Sequence, residues 1–249
     1  MVEPAFLKLF ALAHIIGGIL ALLAGPVAML AQKGGRLHRL AGKVYFWAMF
    51  TIFMTSLTLL IWRTNVFLTV ITLLSFYATL TGYRVLSMKR SDQPARWLDW
   101  SAAGVAILAG AGFMVWGAML LIGLKPPGVP THASIRALPA AFPYLSLGFG
   151  AITLLLGLED VRRFRRAATD RNQWWFLHIR RMLTAYIATT TAFMAQQVSP
   201  HLPMQISWIC WVLPSLIGGP GIYLWVRYYQ QKFNHGRKPT ANLQTASSH

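Results

Sequence analysis

Two histidines that stand beside arginines are the side chains of this sequence best suited to hold a metal or a haem. His38 lies in the segment GGRLHRLAGK, and His178 lies in LHIRRM. His38 precedes one long apolar run and His178 begins another, so both imidazoles are expected at one level of the folded protein. Neutral imidazole is a common ligand of transition metals and of haem iron. Two histidines from different helices at one level are what a bis-histidine haem requires.

A third histidine, His14, lies eight residues into the first apolar run, roughly 12 Å from its end at 1.5 Å per residue. It is a candidate for a separate site, in which it could pair with His132 or His201. The alternative for His38 and His178 is that they cap helices or contact lipid phosphate. No Cys-x-x-Cys-His motif is present, which excludes covalently attached c-type haem.

The elements that carry these histidines are long apolar runs. The chain of 249 residues is 55% hydrophobic and 12% charged, whereas soluble domains are about 25% charged. One helix needs about 20 apolar residues to cross a bilayer core of about 30 Å. Seven runs of this kind are present, at 6–31, 43–62, 66–86, 100–122, 140–158, 175–197 and 205–228. They predict an all-α polytopic membrane bundle of seven transmembrane helices over residues 1–233, followed by a disordered cytoplasmic tail over 234–249.

The positions of Lys and Arg predict the orientation of this bundle. If the N-terminus is outside, 19 of the 23 basic residues fall on the inner side, and only Lys8, Arg63, Lys125 and Arg136 fall outside. Basic residues concentrate on the cytoplasmic side of membrane proteins, so the pattern favours an outside N-terminus and a cytoplasmic C-terminus. The net charge of +17 is then explained by topology and by contact with anionic lipid at the cytoplasmic face, and nucleic acid is not an expected partner.

Polar residues inside the runs predict a polar interior between helices 1, 2, 3 and 6. Such residues usually face the interior of a bundle, because they are costly in lipid. The candidates for the lining of a cavity are Thr55, Thr79, Arg181, Tyr186 and Thr189. The alternative is close helix packing, in which threonine and serine hydroxyls bond to the carbonyl four residues earlier.

The seventh run contains residues that weaken a helix. Pro214 is followed by Gly218, Gly219, Pro220 and Gly221. Proline removes one bond within a helix and glycine weakens the helix further, so we expect a kink or a short unwound segment there. Broken helices often mark binding sites in transporters, which makes Gly219 a further candidate cavity residue.

Acidic residues are few and lie far from the centres of the runs. The chain has six of them, and none is expected at mid-bilayer. This argues against a carboxylate-relay proton pump and against a hydrolase with a buried carboxylate base. Asp99 and Asp160 are expected to pair with Arg84, Arg181 or other basic neighbours. No phosphate-binding loop, Ser-His-Asp pattern or His-Glu-x-x-His motif appears, so the sequence favours a role other than catalysis.

Three segments, at 13–49, 96–104 and 178–197, carry a resemblance to a known family. The specific parts are HRLAG, which begins at His38, and HIRRMLTAYIATTTAF, which begins at His178. The chain resembles, over nearly its whole length except the tail, an uncharacterised bacterial family of predicted membrane proteins, a domain of unknown function. The resemblance implies a multi-pass protein of the bacterial inner (plasma) membrane and no established activity. The positions that match the pattern of the family are His14, His38, Arg39, His178, Arg181 and Tyr186.

Three hypotheses follow from these patterns. The first is a membrane redox or binding module, in which a b-type haem or a metal lies between helices 1, 2 and 6, with His38 and His178 as ligands near the inner face and His14 as a separate site in the outer half. The second is a small-solute transporter or permease with a Thr-lined cavity and a broken helix 7. The third is a structural or sensory membrane protein without a small-molecule ligand.

Overall fold

A computed structural model describes residues 5–62, 66–89, 93–124, 126, 141–166 and 172–235. The described part is helical throughout and contains no strand, which confirms the all-α prediction there. The helices are α1 (Ala5–Leu30), α2 (Arg36–Trp62), α3 (Val66–Arg84), α4 (Trp97–Leu121), α5 (Phe142–Phe164), α6 (Gln173–Phe193), the short α7 (Met204–Ser207) and α8 (Ile209–His235). A 3₁₀ turn, Val85–Ser87, extends α3, and a π-helical turn, Met194–Val198, extends α6.

Six of the described helices are long and apolar enough to cross a membrane, as expected for a multi-pass membrane protein. They are α1, α2, α3 with its 3₁₀ turn, α4, α5 and the region of α7 and α8 from Gln205 to Lys232. Helix α6 is not among the six. His178, Arg180, Arg181 and a series of threonines make it more polar than the others.

Helices α3 and α6 pack against each other and against most of the other long helices. Helix α1 packs along α2, and α4 packs along α5. Helix α3 packs against α6 and also contacts α2, α4 and α5, while α8 lies against α6. The apolar segment of α3 is 56% buried, compared with 17% to 33% for the other five spans. The fold therefore shields α3 and α6 and leaves apolar side chains of the outer helices exposed, as a lipid environment permits.

One end of the bundle collects the basic segments. The imidazole of His38 contacts the end of α1, and that of His178 contacts the end of α3. Trp175, near the start of α6, packs against Tyr229 near the end of α8 at a ring separation of 4.8 Å. Helices α1, α3 and α8 thus end where α2 and α6 begin. We call this the basic end, because Lys33, Arg36, Arg39, Lys89 and Arg180 lie there.

Helix α2 begins earlier than the sequence predicts, and this changes the position assigned to His38. The helix begins at Arg36, seven residues before the predicted run at 43, so His38 lies on a helix and not in a loop. The turn before it uses Gly34, whose φ of 76° suits glycine. Arg36, Leu37 and Arg39 are good helix formers, and the helix therefore starts directly after this turn.

The short unwound segment predicted as one alternative in the last long helix does not occur. Helix α8 is continuous through Pro214 and Pro220. Each proline removes only its own N–H bond while the neighbouring residues keep theirs, and membrane helices tolerate this. The interruption lies earlier, at Trp208, between α7 and α8. Helix α8 also extends to His235, and the predicted disordered tail beyond it lies outside the described residues.

Candidate functional site

The fold brings His38 and His178 together at the basic end. Their imidazole rings have centroids 6.3 Å apart and planes inclined at 77°. One ring is carried by the first turn of α2 and the other by the second turn of α6. Both anchors are regular helix, so the separation of the two rings is set by helix packing.

Each imidazole of this pair is oriented by a backbone carbonyl. His38 Nδ1 lies 2.9 Å from the carbonyl oxygen of Ala28, and His178 Nδ1 lies 2.7 Å from that of Gly82. A carbonyl oxygen only accepts hydrogen bonds, so Nδ1 carries the proton in both rings. In the neutral state, each Nε2 then has a free lone pair. Both rings also cap helix ends, as the alternative interpretation of the sequence expected.

Two lysines flank the histidine pair. Lys33 Nζ donates to the carbonyl of Met29 and lies 5.0 Å from the ring centre of Trp225. Lys89 Nζ lies 4.6 Å from the ring centre of Trp174. Lys33 Nζ is 3.4 Å from the Ala28 carbonyl oxygen that His38 also contacts, and Trp174 stands four residues before His178 on α6. The sequence analysis assigned these lysines only to topology. Each lysine lies shortly after the end of the helix whose carbonyl contacts one of the two histidines, α1 for Lys33 and α3 for Lys89.

An ion-pair cluster lies deeper in the bundle, three residues along α6 from His178. Asp160 is fully buried and accepts a 2.6 Å hydrogen bond from the hydroxyl of Tyr77. Arg181, only 1% exposed, lies 3.1 Å from Asp160 and 3.0 Å from Glu159. Arg163 adds a contact of 3.3 Å to Asp160. The expected pairing of Asp160 with Arg181 is confirmed, and the cluster joins α3, α5 and α6.

The second expected ion pair is also confirmed. Arg84 donates from Nε and Nη2 to the two carboxylate oxygens of Asp99, at 2.9 Å and 2.7 Å. Asp99 also accepts a bond from the backbone N–H of Arg96, at the start of α4. This bidentate pair fixes the end of α3 to the start of α4.

His14 occupies a different part of the bundle. Its Nδ1 lies 3.1 Å from the hydroxyl of Thr55 on α2. That hydroxyl already donates to the carbonyl of Thr51 at 2.7 Å, so its oxygen accepts from His14. His201 is exposed in the 3₁₀ turn Ser199–His201. His132 lies outside the described residues.

The threonines that were predicted to line a cavity donate their hydroxyl hydrogen bonds to backbone carbonyls of their own helices. Thr79 donates to the carbonyl of Ser75, and Thr189 donates to that of Ala185, both at 2.8 Å. Thr55 bonds in the same manner. This geometry favours the close-packing alternative over a solute pathway. The hydroxyl of Tyr45, buried beside Thr189 at 3.5 Å, was not singled out in the sequence.

Two further predicted cavity residues, Tyr186 and Gly219, lie on different helices, α6 and α8. Tyr186 donates from its hydroxyl to the carbonyl of Leu22 on α1. Gly219 is exposed on α8, where a Cβ would meet no described atom within 4 Å. The structure therefore does not bring Gly219 to Thr55, Thr79 or Thr189.

Within the described ranges, no group of three or more His, Cys, Asp or Glu side chains is arranged to hold a metal ion. A metal or haem centre in this part of the chain would rest on the pair His38 and His178, and the assignment of cofactor ligands stays a prediction. Membership of the family that the sequence resembles also stays a prediction. Comparison of the chain with known family patterns, with curated proteins and with solved structures finds no match to any of them.

Proposed function

We propose that the protein is a membrane redox module in which His38 and His178 would hold the iron of a b-type haem. The observation that carries this proposal is the 6.3 Å separation of the two ring centroids. Two imidazoles on opposite sides of one metal ion place their ring centres about 6.4 Å apart, since a metal–nitrogen bond is about 2.1 Å and the ring centre lies about 1.1 Å further out.

The hydrogen bonds of the two rings support the same role. Metal-bound imidazoles almost always donate their second ring N–H to a carbonyl or carboxylate, which fixes the tautomer and raises ligand basicity. Here the carbonyls of Ala28 and Gly82 accept from Nδ1, which leaves Nε2 of both rings for the metal. A haem held by both histidines would have no position left open at its iron, and it would supply electron transfer to the protein.

The proposed membrane arrangement has seven spans, with α6 as the sixth. Helix α6 is the most polar of the long helices, and its central position gives that polarity a protein environment. The basic end faces the cytoplasm, because that is where Lys and Arg concentrate in membrane proteins. The N-terminus is then outside, and the histidine pair lies near the inner face of a bacterial plasma membrane.

An absorption spectrum of the detergent-purified protein tests the proposal. Protein from haem-replete cells is expected to show a Soret band and low-spin α and β bands on reduction. His178→Gln should remove them although its amide can still donate to the Gly82 carbonyl, which separates ligation from helix capping. His201→Gln, an exposed histidine outside the pair, is the matched control and should leave the spectrum unchanged. A colourless preparation free of iron, or a Soret band that survives both His38→Gln and His178→Gln, would rule out this function.

A further inference from the structure

We propose that Lys33 and Lys89 bind the two carboxylates of the haem, an inference that rests on the function proposed above. A b-type haem carries two ionised propionates on one edge. A site for it needs two cations beside the axial ligands, on the side where the propionates leave the apolar interior. Lys33 lies beside His38, since both contact the Ala28 carbonyl, and Lys89 lies over the ring of Trp174, four residues before His178.

Lys33 belongs to the turn that joins the capped end of α1 to α2. Its ammonium group donates to the carbonyl of Met29 and is 3.4 Å from that of Ala28, the oxygen to which His38 also bonds. An ammonium group has three donors, so one is left for an anion. Partial burial without a facing acid lowers the pKa of Lys33, and a carboxylate at this position would reverse that effect.

Lys89 follows the 3₁₀ turn at the end of α3, the helix whose Gly82 carbonyl orients His178. Its ammonium lies over the ring of Trp174, which precedes His178 by four residues on α6. The lysines thus hold equivalent positions, each just beyond the helix that caps one of the two histidines. Each rests on a tryptophan ring, and an aromatic face holds a cation without neutralising it.

The charge around the histidine pair has no balancing acid in the described part of the chain. The three acids there are Asp99, Glu159 and Asp160, and each is paired with arginine. Two cations beside two neutral imidazoles attract a ligand with two negative charges.

Binding of haemin and of haemin dimethyl ester to the full-length, haem-free protein in neutral detergent tests this inference. The ester has the same iron and ring and no carboxylates. The wild-type protein should bind haemin at least about tenfold more tightly than the ester. The double variant Lys33→Gln, Lys89→Gln should bind haemin about fivefold to tenfold more weakly and the ester as wild type, the range expected when two partly exposed ion pairs are lost. Glutamine keeps a donor for the Met29 carbonyl.

The matched control is Lys43→Gln with Lys232→Gln, which removes two exposed lysines from α2 and α8 and should change neither affinity. Wild-type affinity of the Lys33, Lys89 variant for haemin would overturn the inference, while loss of binding in His178→Gln would still support the haem site. Failure of wild-type protein to bind haemin through His178 would overturn both. The measurement is repeated with phosphatidylglycerol added. If the lysine substitutions weaken binding only when phosphatidylglycerol is present, and weaken it equally for haemin and the ester, the lysines bind lipid and the inference is overturned.

Discussion

The hydroxyl of Tyr186 donates a 3.2 Å hydrogen bond to the backbone carbonyl of Leu22. Leu22 stands four residues before Pro26, inside α1. Proline has no N–H, so it cannot supply the helical bond that this carbonyl would otherwise accept. The tyrosine of α6 replaces the missing donor, and its ring fills the space where a Cβ on Gly25 would lie, 2.4 Å from the nearest ring carbon.

Tyr186→Phe is therefore expected to destabilise the protein by about 1–3 kcal/mol, because it leaves a shielded carbonyl without a donor. Thermal unfolding in detergent measures the effect. The cost should shrink in a Pro26→Ala background, where the alanine N–H restores the helical bond. Tyr144→Phe, at an exposed tyrosine of α5, should be neutral. If Tyr186→Phe lowers the stability equally with Pro26 and with Pro26→Ala, then the tyrosine hydroxyl does not replace the missing backbone donor.

Asp160→Asn should destabilise the bundle by about 3 kcal/mol. Asp160 and Arg181 are almost completely buried, and Asp160→Asn leaves the Arg181 guanidinium with only the 40% exposed carboxylate of Glu159 to balance its buried charge. The double variant Asp160→Asn, Arg181→Met removes both charges and should recover part of the loss. Glu159→Gln, whose side chain is 40% exposed, should cost less than about 1 kcal/mol. Unfolding monitored by circular dichroism distinguishes these cases, and a neutral Asp160→Asn would show that the ion pair contributes nothing.

Gly110→Ala should separate α4 from α5 and cost about 1–3 kcal/mol, as overpacking does. A Cβ there would lie 2.5 Å from the backbone nitrogen of Leu154 and 2.8 Å from the carbonyl oxygen of Gly150. Backbone atoms cannot rotate away, so the helices must move apart. Gly112→Ala meets no described atom within 4 Å and should be neutral or stabilising by up to about 1 kcal/mol, since alanine favours helix. Equal melting temperatures for the two variants would refute the close contact.

His14→Ala is expected to leave the haem spectrum unchanged. His14 bonds to Thr55 on α2, seventeen residues along that helix from His38, or about 25 Å at 1.5 Å per residue. A ligand of the same iron cannot lie that far away. Stability should fall modestly through loss of the hydrogen bond, by about 1 kcal/mol. Disappearance of the Soret band in this variant would show that the haem is bound elsewhere.

The proposed orientation predicts that Ser247→Cys, in a Cys210→Ala background, reacts with a membrane-impermeant maleimide only after the cells are permeabilised. Cys210 is the one cysteine of the chain, so its replacement leaves a single reporter thiol. Labelling that occurs only after permeabilisation would agree with a cytoplasmic C-terminus. Labelling in intact cells would reverse the orientation.

Composition determined the helices and their environment. Apolar runs of about 20 residues have few alternatives to the membrane-spanning helix, because lipid offers no partner to backbone N–H and C=O groups. Helix α6 shows the limit of this argument. Its polar residues lower its mean hydropathy, so hydropathy alone does not identify it as a membrane-spanning helix. The start of α2 and the end of α8 were predicted wrongly, because the basic residues Arg36, Arg39 and Lys232 lie outside the apolar runs but are helical in the structure.

Tertiary structure decided which polar groups meet. Local spacing places His38 and His178 at the starts of helices, and their 6.3 Å ring separation follows from how α1 and α3 hold α2 and α6 in place. Tyr77 and Asp160 are 83 residues apart in sequence, and Tyr186 and Leu22 are 164 apart. Periodicity describes one helix at a time and carries no information on its neighbours. The partners of these side chains therefore depend on helix packing, whereas the helices themselves depend on local apolar content and on lipid as the solvent.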